Sequence, residues 1–228
     1  MARNGCFEVV RLSKVIFLDK NSGLYGILNV LPLNLNGNKI ETARTDFMGE
    51  AVLVTDSSGN TFLVHVKRNR FVTIARNLKT SVLQFLDHNY VFFALASAVD
   101  KNIHIYNDNG NEVEALKGHR GRVADIGVNF LKEVFFSLSK DCLILWHLKS
   151  FKKARTLYPK KVKGDGKSLA FRFAQFTSDG DYLLTRFNTG LTYFWNLATF
   201  EMEKEVDLSA QGHHLAWLMS DCDSLLTT

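Results

Sequence analysis

Four bulky side chains recur along this chain at a spacing that few folds can accommodate. Val64, Tyr106, Trp146 and Trp195 each lie in a short apolar run, and they stand 42, 40 and 49 residues apart. The clearest unit is 118–148, "GHRGRVADIGVNFLKEVFFSLSKDCLILWHL". It opens on a Gly-His pair, continues through two short apolar runs and a Lys-Asp turn, and ends on Trp-His-Leu. Runs this short, bounded by polar turn residues, predict strands rather than helices. A period of about 40–45 residues leaves room for four such strands per unit.

The strand pattern repeats in the same order. The third repeat reads "RVADIGV" (122–128), "EVFFSLS" (133–139), "CLILWHL" (142–148) and an exposed "KKARTL" (152–157). The second reads "VLQFL" (82–86), "VFFALAS" (91–97), "NIHIYN" (102–107) and "EVEAL" (112–116). The fourth reads "AFRFAQFT" (170–177), "YLLTRF" (182–187), "LTYFWNL" (191–197) and "MEKEVDL" (202–208). The first offers three strands, "AVLVTD" (51–56), "TFLVHV" (61–66) and "FVTIAR" (71–76). The expected organisation is irregular N-terminal strands over 1–41, then repeats at 42–78, 79–117, 118–158 and 159–208, and a fifth begun at 209–228. The long third spacing places an insertion around 160–167, expected as an outer loop. The last unit stops inside its second strand, which would leave an unpaired sheet edge. An N-terminal piece of a longer protein, or a truncated gene product, is therefore expected.

The 118–148 stretch resembles one blade of a WD-repeat β-propeller, with Trp146-His147 where Trp-Asp usually stands. The resemblance implies an all-β fold: an incomplete WD-repeat β-propeller with about four recognisable blades and partial ends. It also implies a structural tetrad in which His119 reaches Asp141 while Ser137 or Ser139 and Trp146 complete the network. Such a tetrad satisfies buried polar groups between strands. A His119–Asp141 acid–base pair is the alternative, but no nucleophile accompanies it in the sequence.

A closer likeness rests on "GNTFLVHVKRNRF" (59–71), "ALKGHRGRV" (115–123) and "SLSKDCLILWHLKSFKKARTL" (137–157). Together these resemble the N-terminal propeller of the TBC-domain WD-repeat proteins over roughly 45–160. The shared features include the short turn before the Trp and the basic strand after it. The resemblance implies a scaffold at centrosomes, centriolar satellites and cilium bases. The family's later TBC domain and coiled coil are not in this sequence, and neither is Trp-Asp itself.

Charge is concentrated in one place. The chain carries a net charge of +5. Residues 149–167 hold eight basic side chains, Lys149, Lys152, Lys153, Arg155, Lys160, Lys161, Lys163 and Lys167, against the single acid Asp165, so the remainder is slightly acidic. This segment is the candidate partner-binding surface. Lysines on an edge strand also discourage sheet-to-sheet aggregation, which is the plainer explanation. An acidic protein surface fits it as partner. Nucleic acid fits poorly, because no aromatic side chains are interleaved to stack on bases.

Other motifs carry little chemistry. "KGDGKS" (163–168) has Lys161 where a phosphate loop needs Gly, and a strand pattern follows where a helix is required. His213 and His214, with Asp221, Cys222 and Asp223, could be read as metal ligands, but adjacent residues on a strand point to opposite faces. No metal, cofactor or small-molecule substrate is expected. Cys6, Cys142 and Cys222 are widely spaced, odd in number and free of any CxxC, as in a reduced intracellular protein. The first 20 residues show no signal-peptide pattern, and the longest apolar run, 90–99, is too short to span a bilayer.

The sequence therefore predicts a cytoplasmic, non-catalytic platform for protein–protein interaction. Two alternatives stand beside it. One is a regulatory module of a Rab GTPase-activating protein, which would need a TBC domain with its Arg and Gln. The other is an RNA- or ribosome-associated propeller, whose binding would fall steeply with salt.

Overall fold

The computed structural model describes residues 6–11, 14–19, 27–32, 38–46, 50–65, 70–89, 91–159, 169–207, 216–218 and 225–227. The first three and last two strands are described by their backbone alone. Every element among these residues is a strand, and every strand pairing is antiparallel. The chain divides into two compact units, Met1–Lys117 and Gly118–Thr228.

The N-terminal unit opens with β1 (Cys6–Arg11), β2 (Lys14–Asp19) and β3 (Ile27–Pro32), which form a three-stranded sheet. A four-stranded meander follows: β4 (Ile40–Thr45), β5 (Ala51–Asp56), β6 (Thr61–His65) and β7 (Arg70–Ala75). A second meander holds β8 (Thr80–Phe85), β9 (Phe92–Ser97), β10 (Ile103–Asn107) and β11 (Glu112–Leu116). β4 supplies the first strand of the first repeat, which the sequence pattern did not reveal. Leu53, Leu63, Ile74, Leu83, Phe85, Phe93 and Leu95 form the core between these two sheets.

The C-terminal unit repeats this plan. Its first sheet is β12 (Asp125–Asn129), β13 (Val134–Leu138), β14 (Leu143–His147) and β15 (Lys153–Leu157). Its second is β16 (Phe171–Phe176), β17 (Tyr182–Phe187), β18 (Leu191–Asn196) and β19 (Met202–Asp207). A short pair, β20 (Ala216–Leu218) with β21 (Leu225–Thr227), ends the chain. Phe136, Leu145, Leu157, Phe171, Leu183, Phe187, Tyr193 and Trp195 pack as one cluster between the two sheets. Each such large apolar side chain, fully buried, contributes about 1.5–3 kcal/mol.

Burial follows position within the sheet. Second strands are covered on both faces, so β5 and β13 are buried throughout, including their polar residues Thr55, Asp56 and Ser137. Fourth strands are outermost, and β11 is exposed over its first three residues. Among the linkages that fasten the sheets of the C-terminal unit, Phe171 N–H donates to the Lys140 carbonyl at 3.1 Å. Asn129, buried at the end of β12, donates from Nδ2 to the carbonyl of Gly180 at 2.9 Å. Gly180 has φ +76°, and a Cβ there would lie 3.0 Å from the Asn129 amide, so the turn needs glycine. At the surface, Lys132 pairs with Asp181 at 2.6 Å.

The repeat is sharper in geometry than in sequence. Tyr106, Trp146 and Trp195 occupy the same place on β10, β14 and β18, and each sits at a β-bulge against the fourth strand. The bulge leaves Val113, Ala154 and Glu203 as the extra residues. Val64 holds the matching place on β6, but the bulge of that sheet lies between Thr61 and Phe62. The turns after β14 and β18 also coincide, "LKSF" and "LATF". Both end on a phenylalanine at positive φ, Phe151 at 55° and Phe200 at 57°. Phe151 N–H donates to His147 at 2.9 Å, and Phe200 N–H donates to Asn196 at 2.8 Å.

Candidate interaction site

A polar chain crosses the sheet of the third repeat. Trp146, on β14, donates its indole N–H to Ser137 Oγ on β13 at 2.9 Å. Ser137 Oγ lies 2.6 Å from His119 Nε2, and His119 Nδ1 lies 3.0 Å from Ser139 Oγ. Ser139 donates to Asp141 Oδ1 at 2.7 Å. The sequence-based expectation had His119 meeting Asp141 directly. Instead Ser139 stands between them, because the imidazole inserts between the hydroxyls of Ser137, on β13, and Ser139, just past its end.

The proton inventory assigns each group a role. An indole can only donate, and an ionised carboxylate can only accept. Ser139 has one proton, for which Asp141 Oδ1 at 2.7 Å is the nearest acceptor and the Cys142 carbonyl at 3.0 Å the next; given to either, it leaves His119 to donate to Ser139 from Nδ1–H. Ser137, already accepting from Trp146, then donates to Nε2. The network therefore selects the neutral Nδ1–H tautomer of His119. Burial pushes the His119 pKa down to about 4, Asp141 pulls against that fall, and Lys153 adds to it. Protonating Nε2 would take away the acceptor that Ser137 uses.

Cys142 Sγ lies 3.3 Å from His119 Nδ1, a neighbour the sequence reading did not single out. Burial raises its thiol pKa, and its side chain is 2% exposed. Nucleophilic cysteines need the opposite, a lowered pKa and access to substrate. In the fourth repeat, Trp195 donates to Thr185 Oγ1 at 2.8 Å, so Thr185 stands where Ser137 stands. No His accompanies it in sequence, so only the paired position of Thr185 and Trp195 in their strands could have revealed the match. In the second repeat Tyr106 is half-buried against the core, and its hydroxyl donates to Glu112 at 3.4 Å. Glu112 also meets His104 Nδ1 at 2.8 Å, while His104 Nε2 meets Asp100 at 2.9 Å.

The basic segment begins beside this chain. Lys149 pairs with Glu133 at 2.5 Å. Lys152, Lys153 and Arg155 are exposed along β15 and form no ion pair among the described residues. The Lys153 ammonium lies 5.6 Å from the centre of the Trp146 ring, a cation–π distance. Lys160, Lys161, Lys163 and Lys167 lie outside the described residues. So do the "KGDGKS" stretch and the His213, His214, Asp221, Cys222 and Asp223 set. Among the described residues, no group of His, Cys, Asp or Glu side chains is arranged to hold a metal ion, and no helix is long and apolar enough to cross a membrane.

The fold and its sequence have counterparts among known proteins. A chain in the crystal structure of the Mitotic Checkpoint Complex superposes with a TM-score of 0.66 at 17% identity, covering 88% of this chain and 60% of that one. TBC1 domain family member 31 of Xenopus tropicalis is 23% identical over 174 residues, which is 75% of this chain. Its counterpart in Oryzias latipes is 22% identical over 173 residues. The chain has the fold of a WD-repeat β-propeller and is similar in sequence to TBC1 domain family member 31. It spans 15% of the length of the Xenopus tropicalis relative and 16% of that of Oryzias latipes. No family model matches it.

Proposed function

We propose that this chain is a non-catalytic protein-interaction scaffold, the propeller portion of a TBC-domain WD-repeat protein. We place it in the cytoplasm, at the centrosome, centriolar satellites or cilium base. The observation that carries this reading is the exposed β15 edge, where Lys152, Lys153 and Arg155 project without carboxylate partners among the described residues. Beside it, the His119–Cys142 contact is buried and chemically quiet. A rigid scaffold with a charged, solvent-facing element suits recognition of an acidic protein surface. The His119, Ser137, Asp141 and Trp146 tetrad, joined by Ser139, is read as internal bracing of that blade. The repeat boundaries at 42–78, 79–117, 118–158 and 159–208 are proposed as the blades.

The relatives' name favours a second reading, that of a regulatory module accompanying a TBC domain in a Rab GTPase-activating protein. Both readings assign this chain to contact rather than catalysis. The test is capture of partners from cell extract by the wild-type chain and by Lys152→Glu/Lys153→Glu/Arg155→Glu. The proposal expects proteins that elute with salt and are lost on charge reversal. Equal capture by both chains would remove the basic edge from the reading, and recovery of RNA instead of protein would replace it with nucleic-acid binding.

A further inference from the structure

The fourth strands of the third and fourth repeats are near-copies of one backbone with opposite charge. β15 and β19 each follow the same four-residue turn, each carries a bulge opposite its tryptophan, and each is the last strand of its sheet. Neither outer edge has a strand neighbour among the described residues. On β15 and the residue before it, Lys152, Lys153 and Arg155 are exposed with no acid among them. On β19 and the residue before it, Glu201, Glu203, Glu205 and Asp207 are exposed with the single base Lys204.

An open edge presents unpaired N–H and C=O groups that can accept another strand. Charge determines which strand is accepted. Two β15 edges would oppose base to base, and two β19 edges would oppose acid to acid, both unfavourable for directly facing cross-strand pairs. β15 against β19 is the favourable combination; β11, the other exposed acidic edge, offers only Glu112 and Glu114, and Glu112 is already held by His104 and Tyr106. The two cannot meet within one molecule, because each is fixed in its own sheet and both sheets pack on one core, which contains Leu157 and is flanked by Met202. From this complementarity we infer that a second copy of this chain is a partner: the acidic β19 of one molecule adds antiparallel to the basic β15 of the next. The contact is head-to-tail, so each added molecule leaves one basic and one acidic edge open, and assembly grows instead of stopping at a closed pair. The inference rests on β15 being a contact surface, as proposed above, and names the chain itself as the ligand.

Sedimentation velocity of the full chain over a concentration series tests this. At low ionic strength, about 50 mM, the weight-average mass is expected to rise with concentration past about twice the 25.8 kDa of the monomer. At about 500 mM salt it is expected to fall back toward the monomer. Lys152→Glu/Lys153→Glu/Arg155→Glu alone, or Glu201→Lys/Glu205→Lys alone, should abolish assembly. An equimolar mixture of the two should restore it, because each then offers the edge the other lacks. Circular dichroism confirms that each variant is folded, and the mixture keeps the test decisive if either single variant is inactive for another reason. A wild-type chain that stays monomeric, growth that stops at a dimer, or a mixture that fails to assemble would overturn the inference. If capture of other proteins still depends on the β15 charges in that case, the scaffold reading stands and only self-association falls.

Discussion

Lowering the pH from 7 to 5 should destabilise the C-terminal unit through a single identifiable group, the imidazole of His119. In the unfolded chain this ring takes up a proton near the ordinary value of 6.5, but in the folded chain only near 4. Between those values the unfolded state holds more protons, so stability falls as pH falls, and the loss saturates below the folded value. The whole gap corresponds to about 3 kcal/mol, of which about 2 kcal/mol is lost between pH 7 and pH 5. His119→Gln removes the titration and keeps a polar side chain. The variant should be weaker than wild type by about 1–3 kcal/mol at pH 7, because Ser137 and Ser139 lose their fitted partner. Its deficit should shrink by about 2 kcal/mol by pH 5. Urea unfolding followed by tryptophan fluorescence at several pH values gives both numbers, and the difference between the two proteins cancels the carboxylates they share. Nitrogen-15 NMR of the imidazole reads the tautomer directly. Parallel pH profiles for the two proteins, or an imidazole that titrates near 6.5, would refute the polar chain as described.

Two further outcomes follow from the packing and the charges. Gly127→Ala should destabilise the third repeat by about 1–3 kcal/mol, since the added Cβ would lie 2.4 Å from the Phe136 ring that folds over this position across the β12–β13 pair; thermal unfolding would show it, and Gly127→Ala/Phe136→Leu should recover part of the loss. Asp100 should titrate near pH 2 by carboxyl-detected NMR: burial pushes its pKa up, but hydrogen bonds from Asn102, Ser97 and His104 and the attraction of His104 outweigh it, so His104→Ala should raise the midpoint.

Much of the strand order was legible because the apolar runs are dense and the turns polar. "EVEAL", "YLLTRF" and "AVLVTD" coincide with β11, β17 and β5 from end to end. β4 was not legible, because "IETART" holds one large apolar residue, Ile40, and its strand is only half covered. β12 begins at Asp125 rather than at Arg122. Val123 is fully buried there, and Ala124 N–H donates to Leu138 at 2.7 Å just before the strand begins. The polar chain was legible at its ends and hidden at its middle. A Gly-His pair and a downstream Asp suggest a direct contact, and only the geometry shows Ser137 on β13 and Ser139 just past it flanking the ring. The match between Thr185 and Ser137 was hidden for the same reason, since it is a fact of register and not of residue type.

The run of hydrogen bonds from Trp146 to Asp141 has a consequence for solvent exchange. Asp141 at the accepting end is exposed, whereas Trp146 at the donating end is buried with Ser137 and Ser139, so protons at the buried end reach solvent only when the blade opens. The Trp146 indole proton, which begins the series, should thus keep time with the opening of the third repeat as a whole. That single resonance would serve as an internal clock for the blade, one that surface loops and fraying ends do not disturb.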